Sequence, residues 1–371
     1  MGEWINSLPP VMWVDGLPPG QQFAIYSLLK IVIAIFAVVM PMVAYSVVAE
    51  RRISAWIQDR VGPNRVGIPF TKIPLWGLGQ PLADGVKSML KEDFTPAHVR
   101  KIYFWIAPAI AMIPALMTLA VIPFGNTVAS GSGETNKAVI ADLNIGILYT
   151  FGIVSLGVYS VVLAGYASNS KYPFLGGIRS SAQMISYEIA MGMSVVPVFM
   201  LVGELNLTKV VEYQASGAWI IFKQPIAFII FLIAAFAETN RLPFDMPESE
   251  SELVGGYNTE YSSMKFAMFF MGEYAAMIAV SAMMVILFLG GWTLPFAGLN
   301  EPATSLGMGL VQMGIFIGKL LIFMGLFIWI RWMLPRFRYD RLMDVGWKRF
   351  VPLALANIVV TAVYLFLTIP K

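Results

Sequence analysis

The chain has 371 residues, 58% of them hydrophobic and 13% charged, with a net charge of +3 and a mean hydropathy of +0.71. The charged share is about half of the roughly 25% found in soluble domains, which excludes an ordinary cytosolic enzyme. The apolar runs are long and unbroken rather than alternating, which excludes a β-barrel and leaves an all-α, polytopic membrane protein.

A bilayer core about 30 Å thick needs about 20 helical residues to cross it. In chain order, runs over 23–49, 102–122, 143–167, 266–290, 309–333 and 350–369 meet that length. Two more, 189–203 and 224–237, are free of charge for only fifteen and fourteen positions. Their uncharged flanks, 180–187 and 213–222, extend both, giving eight transmembrane helices, or six if the flanks do not contribute.

Eight crossings put both termini on one side. The connections 50–101, 168–180, 239–265 and 331–349 then hold nineteen of the 25 Lys and Arg residues, against five on the opposite side, while Lys319 falls inside the seventh span. By the positive-inside rule the nineteen are cytoplasmic and both termini face outward. Residues 1–22 form an outward segment with no basic region ahead of the first apolar run, so a cleaved signal peptide is not expected. No internal repeat is evident, which argues against an inverted-repeat transporter. The whole of 1–371 reads as a single membrane domain.

The cytoplasmic loops carry the chemistry. In 50–101, Ile53, Trp56 and Ile57 share a face away from Arg51, Arg52 and Asp59, as in a short amphipathic helix lying in the interface. The turn formers Gly62-Pro63-Asn64-Arg65 end it. Residues 80–92 read as a second short helix with Lys87 and Lys91 on one face and Asp84 beside them. The segment 239–263 holds Asp245, Glu248, Glu250, Glu252 and Glu260 against Arg241 alone, and Pro243 and Pro247 prevent a continuous helix. Two readings stay open for it: a solvated acidic loop, or a chamber holding carboxylates beside a membrane-embedded site.

Ionisable residues inside spans mark candidate functional positions. Glu188 lies within the fourth span, Glu273 within the sixth, and Glu238 closes the fifth, which makes them candidates for proton exchange. Glu204 is sixteen residues beyond Glu188, on nearly the opposite helix face, and reads as an end cap. Two readings stay open for Lys319: it snorkels or pairs with a Glu, or it carries protons. His98 opens a span and reads as interfacial. The basic residues of 331–349 read as anchors, with Asp340 and Asp344 available to a neighbour. With no cysteine and one histidine, the chain lacks the ligands for an iron–sulfur cluster, a bis-His haem or a Cys/His metal site of its own, and no metal is expected.

Specific strings then emerge. Glu50-Arg51-Arg52-Ile53-Ser54-Ala55-Trp56 and Arg60-Val61-Gly62-Pro63-Asn64-Arg65-Val66-Gly67 resemble the opening signature of one membrane-subunit family of respiratory complex I, the family that includes subunit 1 of mitochondrial NADH dehydrogenase. Ala237-Glu238-Thr239-Asn240-Arg241-Leu242-Pro243-Phe244-Asp245 resembles its second signature, continuing through Glu248-Ser249-Glu250-Ser251-Glu252 to Gly256-Tyr257-Asn258 and Glu260-Tyr261. Pro335-Arg336-Phe337-Arg338-Tyr339-Asp340 is a third match. The resemblance runs in order from about Glu50 to Leu367 and does not reach the first 22 residues.

The resemblance implies a membrane subunit of a proton-pumping NADH:quinone oxidoreductase, in a bacterial inner membrane, with both termini periplasmic. It implies no redox centre in this chain. Quinone, ubiquinone or menaquinone, would be the substrate, and iron–sulfur clusters and FMN would sit in partner subunits. Other complex I subunits and lipids are the implied partners, with no nucleic acid. Arg51, Trp56, Asp84, Arg179, Arg241, Asp245, Glu248, Glu250, Glu252 and Glu260 match positions along the quinone tunnel or the acidic route beyond it. Glu188, Glu238 and Glu273 match the proton route. The alternatives are a related membrane anchor of a hydrogenase or of a ferredoxin- or F420-dependent dehydrogenase and, more remotely, an independent ion carrier.

Overall fold

The structure, a computed structural model, describes residues 21, 25, 28–29, 31–32, 34–67, 76–126, 128–129, 135–136, 138–247, 254–294 and 306–368. Among these the protein is helical apart from two short strands, Val128–Ala129 and Thr135–Asn136, paired antiparallel.

Among the described residues, seven helices are long and apolar enough to cross a membrane: α1 (Ala34–Ile57), α3 (Lys101–Val121), α4 (Gly146–Ala167), α5 (Lys171–Val202), α8 (Ser263–Phe288), α9 (Leu306–Met333) and α10 (Tyr339–Thr368). Short helices lie between them: α2 (Gln80–Leu90), α6 (Leu207–Ala215) and α7 (Pro225–Glu238). The long seven and α7 account for the eight expected runs. At 14 residues α7 is about 21 Å long, less than a bilayer core of about 30 Å.

Three boundaries differ from the expectation. Ile53, Trp56 and Ile57 do not begin a new helix, because α1 runs unbroken to Ile57. No Gly or Pro interrupts Met42–Val61, and Glu and Arg favour helix, so the apolar span simply continues into its charged end. The expected connection 168–180 is mostly helix, since α5 starts at Lys171 and reaches 32 residues. Pro173 stands in its first turn, where a proline is tolerated. Finally, 213–222 does not lengthen the fifth span. Tyr213–Ala215 belong to α6, and a separate turn, Ile220–Lys223, precedes the break at Gln224. The Gln214 side chain fixes that break by donating to Ile286 O at 2.7 Å and accepting from Ile220 N at 3.1 Å.

The core is built around α8, whose residues Met277–Phe288 are all buried. Around it pack α1, α3, α7 and α9, while α5 bridges α4, α7 and α10. Association of helices in lipid relies on close backbone approach through small residues. At the α4–α5 crossing a Cβ on Gly165 would stand 2.6 Å from Pro173 O, so only glycine fits. The crossing of α8 with α3 is also close, since a Cβ at Gly272 would come 3.0 Å from Ala111 O.

Among the described residues, several interhelix polar contacts lie at helix ends. Ser263 Oγ, at the start of α8, lies 2.9 Å from both Ser88 O and Lys91 O, anchoring the last turn of α2 to the core. Lys319 of α9 donates to Leu289 O, Gly291 O and Thr293 O at 2.7, 2.9 and 2.6 Å, capping the far end of α8. Its ammonium also lies 4.4 Å from the centre of the Trp219 ring. A buried set of Gln224, Asn357 and Thr361 joins the start of α7 to α10, with Gln224 Nε2 donating to Thr361 Oγ1 at 2.9 Å and Asn357 Nδ2 to Gln224 Oε1 at 3.0 Å.

Candidate functional site

Four segments meet at a buried carboxylate. Glu50 sits about three turns along the α-helical part of α1, on a face directed inward, and is 7% exposed. Its Oε2 accepts from Arg241 Nη1 at 3.1 Å and from the Tyr274 hydroxyl at 2.5 Å, and its Oε1 accepts from Arg331. Arg241 comes from the loop after α7, Tyr274 from α8 and Arg331 from the last turn of α9. The Arg241 guanidinium also lies 4.2 Å from the centre of the Tyr274 ring. Burying a charge is costly unless it is paired and hydrogen-bonded. Two cations answer the Glu50 anion, while Arg241 Nε and Nη2 and Arg331 Nε are buried without a hydrogen-bond partner among the described residues. Burial pulls the Arg241 pKa down, but the surrounding Tyr274, Glu50 and Glu273 outweigh it and hold the group above the usual arginine value. Arg241 therefore keeps its charge at any working pH.

The loop that carries Arg241 is held by side chains rather than by secondary structure. Asn240 takes a left-handed backbone conformation (φ 50°), and the Leu242–Pro243 peptide is cis. Gln183, fully buried on α5, donates through Nε2 to Ala237 O at 2.8 Å and to Phe244 O at 2.7 Å. Phe337 N donates to Pro243 O at 3.2 Å, and Asp245 pairs with Arg336 at 2.9 Å. Two contacts thus tie 241–245 to the segment after α9.

The other expected acids fall into two groups. Glu273, one residue before Tyr274, accepts from the Tyr257 hydroxyl at 3.2 Å and contributes to the field at Arg241. Glu188, halfway along α5, accepts from Ser155 Oγ at the break in α4. Glu238, 5% exposed at the end of α7, feels the charge of Glu188, and its Oε2 has no hydrogen-bond partner among the described residues.

The remaining expected residues lie apart from Glu50. Arg51 Nη1 pairs with Asp84 Oδ2 at 2.7 Å and so ties α2 to the end of α1 in a half-exposed contact. Trp56 is exposed and lines an open hollow of about 600 Å³ with Arg52, Pro63, Arg65 and Trp76. Arg179 lies 5.2 Å from the centre of the Tyr339 ring. Glu260 faces His98 at 3.8 Å. Glu248, Glu250 and Glu252 lie outside the described residues.

Glu50, Tyr257, Tyr274, Arg331 and Arg336 were not among the expected site residues. Glu50 closes the apolar run 23–49 and looks like an interfacial charge, whereas continuation of the helix to Ile57 carries it inside. Its position in the Glu50-Arg51-Arg52 string was the available signal. Nothing in the sequence marks Tyr274 or Arg331 as its partners.

The family model described as NADH dehydrogenase matches residues 29–362. The chain belongs to that family. Among its relatives, an NADH-quinone oxidoreductase subunit of Geobacter metallireducens is 51% identical over 333 residues, covering 90% of this chain and 94% of the relative. One from Geobacter sulfurreducens is 48% identical over 348 residues, covering 91% and 94%. Another, from Cytophaga hutchinsonii, is 46% identical over 340 residues, covering 91% and 96%. The matched range contains every candidate residue named above.

Proposed function

We propose that the chain is the membrane subunit of a proton-translocating NADH:quinone oxidoreductase that walls the quinone passage and connects it to a line of carboxylates. The buried Glu50 with its two arginines and tyrosine carries this reading. A quinone is a long apolar molecule with a small polar head, and it needs an apolar passage that offers few, well-held polar groups at its end. The Glu50 set supplies donors and a fixed positive charge beside an apolar core.

Reduction of a quinone takes two electrons and two protons. The electrons come from partner subunits carrying FMN and iron–sulfur clusters, and the chain supplies surroundings rather than a redox centre. Negative charge appearing on the headgroup would be met by Arg241 and Arg331, and Coulomb interaction at low dielectric would change the proton affinity of carboxylates nearby. Glu273 adjoins the Glu50 set, and Glu188 with Glu238 forms a second pair deeper among the helices, so the three form the proposed proton route. Arg51, Trp56, Asp84, Arg179, Asp245, Glu260 and the acids at 248, 250 and 252 complete the tunnel wall and its acidic exit. The loop 239–263 is the proposed two-state element linking the chemistry to proton movement. The full chain acts as one membrane domain in a bacterial inner membrane, with nineteen of its 25 basic residues inside and both termini outside.

The test is the intact complex in sealed vesicles, with quinone reduction and proton uptake measured together. Glu188→Gln and Glu273→Gln should assemble and lose proton uptake. Wild-type coupled turnover in either variant removes that residue from the route. Full quinone reductase activity in Arg241→Ala refutes the role given to the Glu50 set.

A further inference from the structure

A cleft of about 300 Å³ opens where the ends of α7 and α9 meet the first turns of α10. Leu232, Ile233 and Phe236 of α7, Ile330 of α9, Leu334 just beyond it and Phe350 of α10 form its apolar wall, and Arg341 is the one charged side chain in the lining among the described residues. Water entering such a cleft would find almost no hydrogen-bonding partner, and an empty cleft would forfeit dispersion contacts.

The charge around the mouth is not balanced. Asp340 pairs with Arg338 at 3.1 Å, Asp344 with Lys348 at 2.8 Å and Asp245 with Arg336 at 2.9 Å. Arg331 is committed to Glu50. Arg341 and Arg349 are exposed and form no ion pair among the described residues. Asp344, the acid whose charge Arg341 feels, is already held by Lys348. The segment 331–349 thus presents surplus positive charge directly above an apolar slot. That slot lies where α7 and α9 end and α10 begins, and the positive-inside rule puts the basic segment beside it at a membrane face.

We propose that this cleft is a binding site for an anionic phospholipid, with one acyl chain between α7, α9 and α10 and the phosphate on Arg341. A guanidinium matches two phosphate oxygens at once, and Arg349 raises the local positive potential. A zwitterionic headgroup brings its own cation towards the same two arginines and is disfavoured. Pro243 and Phe244 of the Arg241 loop also line the cleft, but lipid binding there requires no quinone chemistry and is tested separately from it.

The experiment uses the intact complex reconstituted in phosphatidylcholine vesicles. A trace of phosphatidylglycerol carrying a photoreactive diazirine in mid-chain is the probe, and labelled peptides are mapped by mass spectrometry. Label is expected on Leu232–Phe236 and Ile330–Leu334. Near a membrane surface each Lys or Arg contributes about 1 kcal/mol to anionic lipid binding, so Arg341→Ala should reduce the label about fivefold and Arg341→Lys should retain most of it. Ile233→Trp, which fills the cleft, should abolish the label in assembled complex. Arg341 is exposed, so its variants keep the test open if the tryptophan variant does not assemble. Equal labelling by a phosphatidylcholine analogue, or unchanged labelling in Arg341→Ala, overturns the proposal. So does capture of a peptide from another subunit, rather than lipid, by a photoreactive residue placed at Leu334.

Discussion

Midway along α8, Tyr274 shares Glu50 with Arg241 and Arg331; at the C-terminal end, Lys319 stands against Leu289 O, Gly291 O and Thr293 O. Both sites are ionisable groups drawn into an apolar interior, and in both the charge is answered by hydrogen bonds. They differ in what answers the charge. An ammonium has three protons to donate, and all three of Lys319 are directed at backbone carbonyls, which do not titrate. Glu50 is answered by side chains from three other segments, one of them a phenol with its own proton. The first arrangement holds a helix end in place. The second can redistribute hydrogen bonds when charge arrives nearby. An ionisable residue inside a span is therefore not a functional mark until its partners are known.

The contrast can be tested, beginning with its largest expected effect. Glu50→Ala leaves two guanidiniums facing each other without their anion, at a cost of about 3–5 kcal/mol for breaking a buried pair. Assembled complex should be lost on a native gel, whereas Glu50→Gln should assemble and lose quinone reductase activity. Next, Lys319→Met strips three carbonyls of their donor and should lower stability by about 1–3 kcal/mol, read as a lower melting temperature. Its activity should keep the wild-type pH profile, and a shifted profile would break the distinction between the two sites. A smaller effect is expected from Ser155→Ala, which removes the donor to Glu188 at a cost of about 1 kcal/mol. Coupled turnover should fall severalfold while the melting temperature barely moves. The smallest change in stability should come from Asp84→Ala, because the exposed Arg51–Asp84 pair is worth less than about 1 kcal/mol. A large loss of turnover with unchanged melting would then place Arg51 on the substrate path.

Much of the architecture was legible in the chain. The apolar runs located every long helix, because the bilayer demands about 20 consecutive apolar residues whatever the packing. The short α2 was readable within 80–92, although the helix ends at Leu90 and leaves Lys91 as its cap. Helix ends were less so. Residues 168–180 contain Lys171 and Arg179 and look like a connector, yet they fold as the first turns of α5 because a helix does not stop where charge begins. The flank 213–222 looks apolar enough to continue a span, yet Gln214 uses its amide to close a turn against α8. The acids at 188, 238 and 273 were identifiable from their depth in apolar sequence. Glu50 escaped because it stands at the edge of its run.

Hydropathy, helix length and charge distribution are local properties, so the amino-acid sequence alone determined that this protein crosses a membrane about eight times and keeps acids among its helices. Which charge meets which is not local. Glu50 finds Arg241 at a separation of 191 residues, Tyr274 at 224 and Arg331 at 281. Only the packing of α1, α8 and α9 around one point decides those pairings. In a low-dielectric interior a carboxylate's behaviour depends on the partners within a few ångströms, not on its neighbours in the chain.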